Sequence, residues 1–332
     1  MNKPKVSVIV PIHNAGSFLV PCLESLKFQT LQDIEFLLIL DCPTDGSDVI
    51  ADSYAKDDNR FIVIKNAKNL HIGESRNLGM KLARGEYIGF CDHDDYCKPE
   101  MYETLYNAAS NNNADICLSY LWHRTDKNGE FDEYFQFPTD GFDPSSASNA
   151  IIADYPMKKK PSYNNIRSVW LQIIKSSYAR NHNICFVDTK KSTFEDIYFC
   201  AIEFLFNPRV VVVPQYLYCW ISNPRSASKT SSYLNSTKVI HFNEDLYDAL
   251  VHNEKNELYF SAIACGLIRR LYTMTLEGGM HSLSALRKSR QLCGLIRGSA
   301  KKFYKIKGLP PTKWAFYWVI LVPLAHLEIK SK

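Results

Sequence analysis

Over the first 120 positions, blocks of apolar residues alternate with segments of helical period. Residues 6–10 (Val-Ser-Val-Ile-Val) and 34–40 (Ile-Glu-Phe-Leu-Leu-Ile-Leu) are nearly continuous apolar runs, as expected of strands buried on both faces. Residues 61–64 and 87–91 repeat the pattern. Between them, residues 18–26, 47–54 and 75–83 predict helices. Ser47 stands where it can cap the second, and Gly85 stops the third. Strand and helix at this interval predict a doubly wound, mostly parallel α/β sheet, in which ligands gather at the carboxyl ends of the strands. Asp41 and Asp92 stand at two such ends.

Further along, a helix follows Pro99, residues 116–120 predict a strand, and the polar stretch 123–144 predicts a long loop or a hairpin. Residues 169–178 and 194–206 predict helices, and 210–213 a strand. From Ser236 onward only helical spacing remains. Val239, Ile240, Phe242, Leu246 and Leu250 share one face, and segments 258–276 and 283–306 follow. The change of pattern near 232–235 divides the chain into an α/β unit, 1–235, and a smaller helical unit, 236–332. No internal repeat or low-complexity tract is visible.

Composition changes this picture little: 46% apolar and 22% charged residues exclude a disordered chain, a collagen-like fibre and a small disulfide scaffold. The ten cysteines are scattered without a Cys-x-x-Cys pair, which disfavours a zinc site and suits reduced, buried thiols. Residues 6–10 are followed at once by Pro11, His13 and Asn14, too short a run for a signal peptide, so a cytoplasmic protein is expected. A net charge of +4 argues for no nucleic-acid partner, and no recognised nucleic-acid module is present. Charge distribution does add something. Residues 280–332 hold 11 Lys and Arg against the single acid Glu328. Within them, residues 314–327 are apolar and rich in Trp and Tyr. At 14 residues this segment is shorter than the roughly 20 a spanning helix needs. It suits either a segment lying peripherally in the interface of an anionic membrane or a C-terminal helix buried in the core with a solvated basic face.

Candidate chemistry concentrates at the predicted strand ends. Asp92-His93-Asp94-Asp95 directly follows a buried strand, and unpaired carboxylates are too costly to serve as core packing. A hard divalent cation, Mg²⁺ or Mn²⁺, holds such a cluster together and completes its shell with substrate phosphates. A polar turn with Asp95 capping the next helix is the alternative. The carboxylate of Asp41 suits hydrogen bonds from a base or ribose. Pro11, His13 and Asn14 end the first strand, where the imidazole can stack on a ring. Asn69 precedes the helix carrying Arg76, which can offset the acidic cluster or reach a phosphate. Gly-x-Gly-x-x-Gly after a strand and Gly-x4-Gly-Lys-Ser/Thr are both absent, which removes the main support for a dehydrogenase or a P-loop hydrolase.

Taken in order, Val-Ser-Val-Ile-Val-Pro-Ile-His-Asn, the turn from Asp41 to Ser47, Asn69-x3-Gly73-x-Ser75-Arg76-Asn77-x-Gly79, Gly85-Glu-Tyr-Ile and Asp92-His93-Asp94-Asp95 resemble the family-2 glycosyltransferases. The match runs unbroken over about residues 4 to 120 and implies a GT-A-like mixed sheet flanked by helices. By the same resemblance, Pro11 and His13 match the uracil-contacting strand end, where the family commonly has Tyr at the position of His13. Asp41 and Asn69 match the base-binding positions. Asp92 and Asp94 match the DxD motif, with Asp94 as direct metal ligand and Asp92 nearer ribose and metal. Asn14, Arg76 and His93 complete the expected nucleotide site. The turn departs from the family: Leu40 stands where a first acid is usual, and Cys42 and Pro43 replace Gly-Ser.

Glu195-Asp196 opens a predicted helix and resembles the family's Glu-Asp motif, whose Asp takes the proton from the acceptor hydroxyl while Glu195 supports it. Acids that merely complement a helix dipole are the alternative. Arg225 and Ser228 resemble a later phosphate-closing loop. The resemblance implies an inverting transferase that uses Mn²⁺ or Mg²⁺ and a nucleotide-sugar donor, expected to be a UDP-sugar. The acceptor expected is a saccharide or lipid-linked saccharide of a surface polysaccharide. A nucleotidyltransferase shares the sheet and the metal carboxylates but leaves Glu195-Asp196 unexplained. A non-catalytic sugar-nucleotide-binding or membrane-docking subunit is the third reading.

Overall fold

The structure, a computed structural model, describes residues 3–124, 131–136, 138–152, 166–221, 223, 236–253 and scattered positions between 262 and 293. Four parallel strands build its first half: β1 (Val6–Ile12), β2 (Ile34–Leu40), β3 (Phe61–Lys65) and β4 (Tyr87–Phe90). Every residue of β1, β2 and β4 is buried, which is why they read as apolar runs and not as alternating ones. The polar exceptions Ser7 and Glu35 satisfy each other. Ser7 Oγ donates to Glu35 Oε1 at 2.6 Å, and Arg84 Nε donates to Glu35 Oε2 at 2.8 Å. Helices α1 (Leu19–Lys27), α2 (Ser47–Asp57) and α3 (His71–Leu82) connect these strands. Helix α3 lies so close to β1 that a Cβ on Gly79 would stand 2.5 Å from the Ile9 side chain. The order β3-β2-β1-β4 puts the topological switch between β1 and β4. His13 and Asn14 leave one of these strands, and residues 92–95 leave the other, at the same edge.

The second half completes one mixed sheet. Its strands are β5 (Tyr96–Cys97), β6 (Ile116–Arg124), β7 (Phe131–Phe135), β8 (Gln172–Lys175) and β9 (Val210–Ile221). Its helices are α4 (Met101–Asn111), α5 (Pro144–Ile152), α6 (Ser176–Asn181), α7 (Glu195–Glu203) and α8 (Ser236–His252). The full order is β3-β2-β1-β4-β8-β6-β9-β5, with β7 on β6. Strands β5, β7 and β8 run antiparallel to their partners, while β6 pairs parallel with β9. The expected mixed, mostly parallel sheet is therefore present.

Three segments differ from their sequence reading. Residues 169–178 are not one helix but a 3-10 turn (Val169–Leu171), then β8, then α6. The β-branched Ile173 and Ile174 are fully buried between β4 and β6, so packing on both faces overrides a helical reading of an apolar run. Strand β9 runs on to Ile221, eight residues beyond the predicted 210–213. Helix α3 starts at His71, four residues early. In the stretch 123–144, β7 folds back on β6, which selects the hairpin.

Helix α8 buries Val239, Ile240, Phe242, Leu246 and Leu250, the face its spacing predicts. Phe242 meets Phe194 edge to face with centroids 5.4 Å apart, so one apolar core runs from the sheet into this helix. Most of segments 258–276 and 283–306, and all of 314–327, lie outside the described residues. Among the described residues no helix is long and apolar enough to cross a membrane. The cysteines described are all free, most of them buried.

Candidate active site

The turns after β1 and β2 are tied together. Asn14 and Cys42 both take left-handed backbone, at φ +50° and +53°. Asn14 Oδ1 accepts from Thr44 N at 2.8 Å, Asp45 Oδ2 from Gly16 N at 2.8 Å, and Ser47 Oγ from Ala15 N at 3.2 Å. His13 is exposed, and its Nδ1 donates to the Asp41 carbonyl at 2.7 Å. Asp41 itself is buried. Its Oδ1 accepts from Leu70 N at 2.7 Å and Asn66 Nδ2 at 2.8 Å, and its Oδ2 from His71 N at 2.8 Å. Asn69 Oδ1 caps the same His71 N–H at 3.0 Å, and Lys190 Nζ donates to the Asn69 carbonyl at 2.8 Å. The Asp41 carboxylate thus shapes the 66–71 loop and carries it to the edge of the switch point.

The acidic turn after β4 is gripped from both sides. Pro11, buried at the end of β1, accepts from His93 Nδ1 at 2.9 Å through its carbonyl. Asp95 is buried and does not cap α4: its Oδ2 accepts from Tyr218 Oη and its Oδ1 from Ile221 N, both at 2.8 Å. Asp94 is half-buried, with Oδ2 accepting from Asn223 Nδ2 at 2.8 Å. Asp92 meets α3 through one of its two oxygens.

There Arg76 joins the two halves of the chain. Its side chain is fully buried. Nη2 donates to Asp92 Oδ1 at 2.7 Å, and Nη1 donates to Glu195 Oε1 at 3.3 Å and to Asp196 Oδ1. The Phe186 ring lies 5.2 Å below the guanidinium carbon. Burial alone would lower the Arg76 pKa, but the Asp196, Asp92 and Glu195 charges outweigh it and raise it overall. One cation serves three carboxylates, and the shortfall falls on Asp196. Burial pushes its carboxyl well above the usual range, Arg76 pulls it back, and the Glu195 and Asp92 charges push it up again. Asp196 still exposes 24% of its side chain and keeps Oδ2 clear of Arg76, so it can meet a proton donor. The turn into α7 is itself strained, with Phe194 at φ +57°.

A family model described as glycosyl transferase family 2 matches residues 7–164, the span that holds β1 to β6 and the acidic turn. The uncharacterized glycosyltransferase EpsJ of Bacillus subtilis is 33% identical over 230 residues, 68% of this chain and 63% of that protein. The chain belongs to glycosyl transferase family 2. It spans less than two thirds of the length of EpsJ. The fold agrees with solved structures of low identity. Staphylococcus aureus TarS 1–349 in complex with UDP-GlcNAc superposes with a TM-score of 0.66 at 19% identity, covering 98% of this chain and 90% of that one. The mannosyltransferase PcManGT from Pyrobaculum calidifontis, in complex with GDP-Man and Mn²⁺, gives 0.52 at 16% identity over 100% and 88%.

In this family-2 chain, most residues singled out along the sequence fall into two groups, with His93 and Asp94 in the acidic turn between them. Pro11, His13, Asn14, Asp41 and Asn69 line one side of the switch point; Arg76, Asp92, Glu195 and Asp196 make one contact cluster. Arg225 and Ser228 lie outside the described residues. Among the described residues no three His, Cys, Asp or Glu side chains converge as a metal cage. The donors that remain, Asp94 Oδ1 and Asp92 Oδ2, fit a hard divalent cation bound by one or two carboxylates and otherwise by ligand phosphates. Sequence reasoning missed Tyr218 and Asn223. The aromatic run 216–220 carried a signal of burial, but nothing local announced contacts to residues 92–95.

Proposed function

We propose that this chain transfers a sugar, with inversion, from a nucleotide-sugar donor, a UDP-sugar, to a hydroxyl of a saccharide acceptor in surface-polysaccharide synthesis. The observation that carries the proposal is the Arg76 cluster. It holds Asp92, at the expected donor side, and Asp196, the expected base, on one guanidinium although they come from distant parts of the chain. In this reading residues 1–235 are the catalytic unit and 236–332 a helical accessory. His13, Asn14, Asp41 and Asn69 form the base side of the donor pocket.

Asp196 would accept the proton of the acceptor hydroxyl as its oxygen attacks the anomeric carbon opposite the leaving diphosphate. A carboxylate with a raised pKa is suited to that step, because the attacking hydroxyl gives up its proton more readily to a stronger base. Glu195 would share the Arg76 charge and keep Asp196 oriented. Asp94 and Asp92 would hold Mn²⁺ or Mg²⁺, which supplies charge stabilisation for the departing diphosphate. A nucleotidyltransferase would need no residue in the position of Asp196. Support for the donor class comes from TarS, bound to UDP-GlcNAc, and from PcManGT, bound to GDP-Man and Mn²⁺.

Because those two carry different nucleotides, the test is calorimetric titration with UDP and GDP, each with Mn²⁺ and with EDTA, on wild type and Asp94→Ala. Metal-dependent binding of UDP alone, lost in Asp94→Ala, is expected. Binding of GDP alone overturns the UDP assignment, and binding of neither overturns the transferase reading. The basic tail is proposed to hold the enzyme at the cytoplasmic face of an anionic membrane. Deleting residues 314–332 should release it from anionic liposomes at moderate salt. Unchanged binding, or unfolding of the truncated chain, overturns the interfacial role of the tail.

A further inference from the structure

Strand β9 reaches beyond its own ladder. It pairs with β5 through Cys219 and Tyr218, and from that point it makes three hydrogen bonds with the acidic turn, to which Asn223, two residues past its end, adds a fourth. Tyr218, fully buried, uses its hydroxyl twice: it accepts from Asp92 N at 3.1 Å and donates to Asp95 Oδ2 at 2.8 Å. Ile221 N fixes the other oxygen of Asp95, and Asn223 Nδ2 fixes Asp94 Oδ2, each at 2.8 Å. The Tyr218 ring is itself held flat on Trp170, with centroids 4.4 Å apart and planes 15° from parallel.

The chemistry of the grip matters as much as its geometry. An Arg or Lys at these positions would cancel the charge of Asp94 and compete with a cation. A phenol and an amide fix direction and leave the charge in place. We propose that Tyr218 and Asn223 are positioning residues for the divalent cation. Tyr218 sets the backbone of residues 92–95, and Asn223 holds one oxygen of Asp94 so that the other stays oriented for the metal. Neither side chain need touch donor or acceptor. The inference rests on the metal-dependent transfer proposed above.

Mn²⁺ binding to the full chain in the presence of UDP, read from the loss of the free-ion electron paramagnetic resonance signal, tests it. Tyr218→Phe keeps the stacked ring and removes both hydroxyl bonds; Asn223→Ala frees Asp94. Each should weaken Mn²⁺ binding about tenfold, as loss of an outer hydrogen-bond partner of a metal ligand does. The thermal transition, measured in EDTA, should stay near wild type. The Mn²⁺ concentration for half-maximal turnover should rise in the same ratio, with the donor KM at saturating Mn²⁺ unchanged. Wild-type Mn²⁺ affinity in Asn223→Ala, or in a folded Tyr218→Phe, overturns the proposal. Should Tyr218→Phe unfold, Asn223→Ala decides it. A wild-type chain that binds UDP but no Mn²⁺ overturns the metal reading itself, a result distinguishable from failure of the positioning role.

Discussion

Two carboxylate regions flank the switch point, and the chain treats them in opposite ways. At Asp41 three N–H donors, all within thirty residues, meet the two oxygens, and none of them is a cation. At Asp196 a single guanidinium 120 residues away is shared with two competing carboxylates. Charge-assisted bonds to amides are worth about 1.5–3 kcal/mol each and leave the first site satisfied. The second site remains short of positive charge. A carboxylate that folding fully satisfies shapes a loop; one left undersupplied keeps an appetite for a proton or a ligand.

The largest effect expected from this contrast is at Asp196. Asp196→Asn keeps shape and the contact to Arg76 but cannot take a proton, so turnover should fall by roughly 10²–10⁴. Affinity for UDP, measured by titration, should stay within about twofold if the base contributes only in the transition state. Retained turnover would make Asp196 a second Asp41. Next comes Arg76→Leu, which removes the cation from three carboxylates. Breaking a buried ionic cluster from one side costs about 3–5 kcal/mol, to be read from urea unfolding. Arg76→Lys should rescue little, because one ammonium cannot hold the two directions in which the guanidinium fork reaches Asp92 and Asp196.

Asp41→Ala should have a smaller and more local effect. It leaves the Leu70 amide unmet and the His71 amide with Asn69 Oδ1 alone, a cost of about 1–3 kcal/mol. Amide hydrogen exchange should quicken over residues 66–71 and stay unchanged in α7. Faster exchange in α7 as well would mean that the two regions are coupled and the contrast is false.

What was legible along the chain follows the same division. Strands β1, β2 and β4 were readable because central strands buried on both faces need apolar side chains at every position. Asp41 and Asp92 were readable because a strand end locates them by counting. Strand β8 was not, since Val-Trp-Leu-Gln-Ile-Ile is apolar at both helical and strand spacing, and only its place between β4 and β6 decides. The Arg76 cluster was half legible. Its link to Asp92 spans 16 residues within one βαβ repeat, whereas its link to Asp196 depends on how α7 docks. Tyr218 and Asp95, 123 residues apart, share no period or spacing that could pair them.

Glu203 offers a third way to bury a carboxylate and the mildest test of the contrast. It lies fully buried on α7, with Oε2 accepting from Gln172 Nε2 at 2.6 Å. Oε1 and the Gln172 Oε1 have no hydrogen-bond partner among the described residues, and no Lys or Arg there pairs with Glu203. Burial raises its pKa well above the ordinary glutamate value, against smaller opposing effects of Gln172 and Cys200. Here the proton does what amides do for Asp41 and Arg76 does for Asp196. An unfolded glutamate ionises near about pH 4.3. Above that pH the folded chain holds one more proton than the unfolded chain, so stability falls as pH rises, by up to ~1.4 kcal/mol per unit, until the folded pKa is passed. Glu203→Gln removes the titration, and its amide can donate to the open Gln172 Oε1. Urea unfolding of both proteins from pH 5 to 8 should therefore show the variant gaining on wild type as pH rises, with turnover unaltered. Parallel curves would mean that the folded chain meets the ionised Glu203 with donors or a counter-charge, as it meets the other two carboxylates.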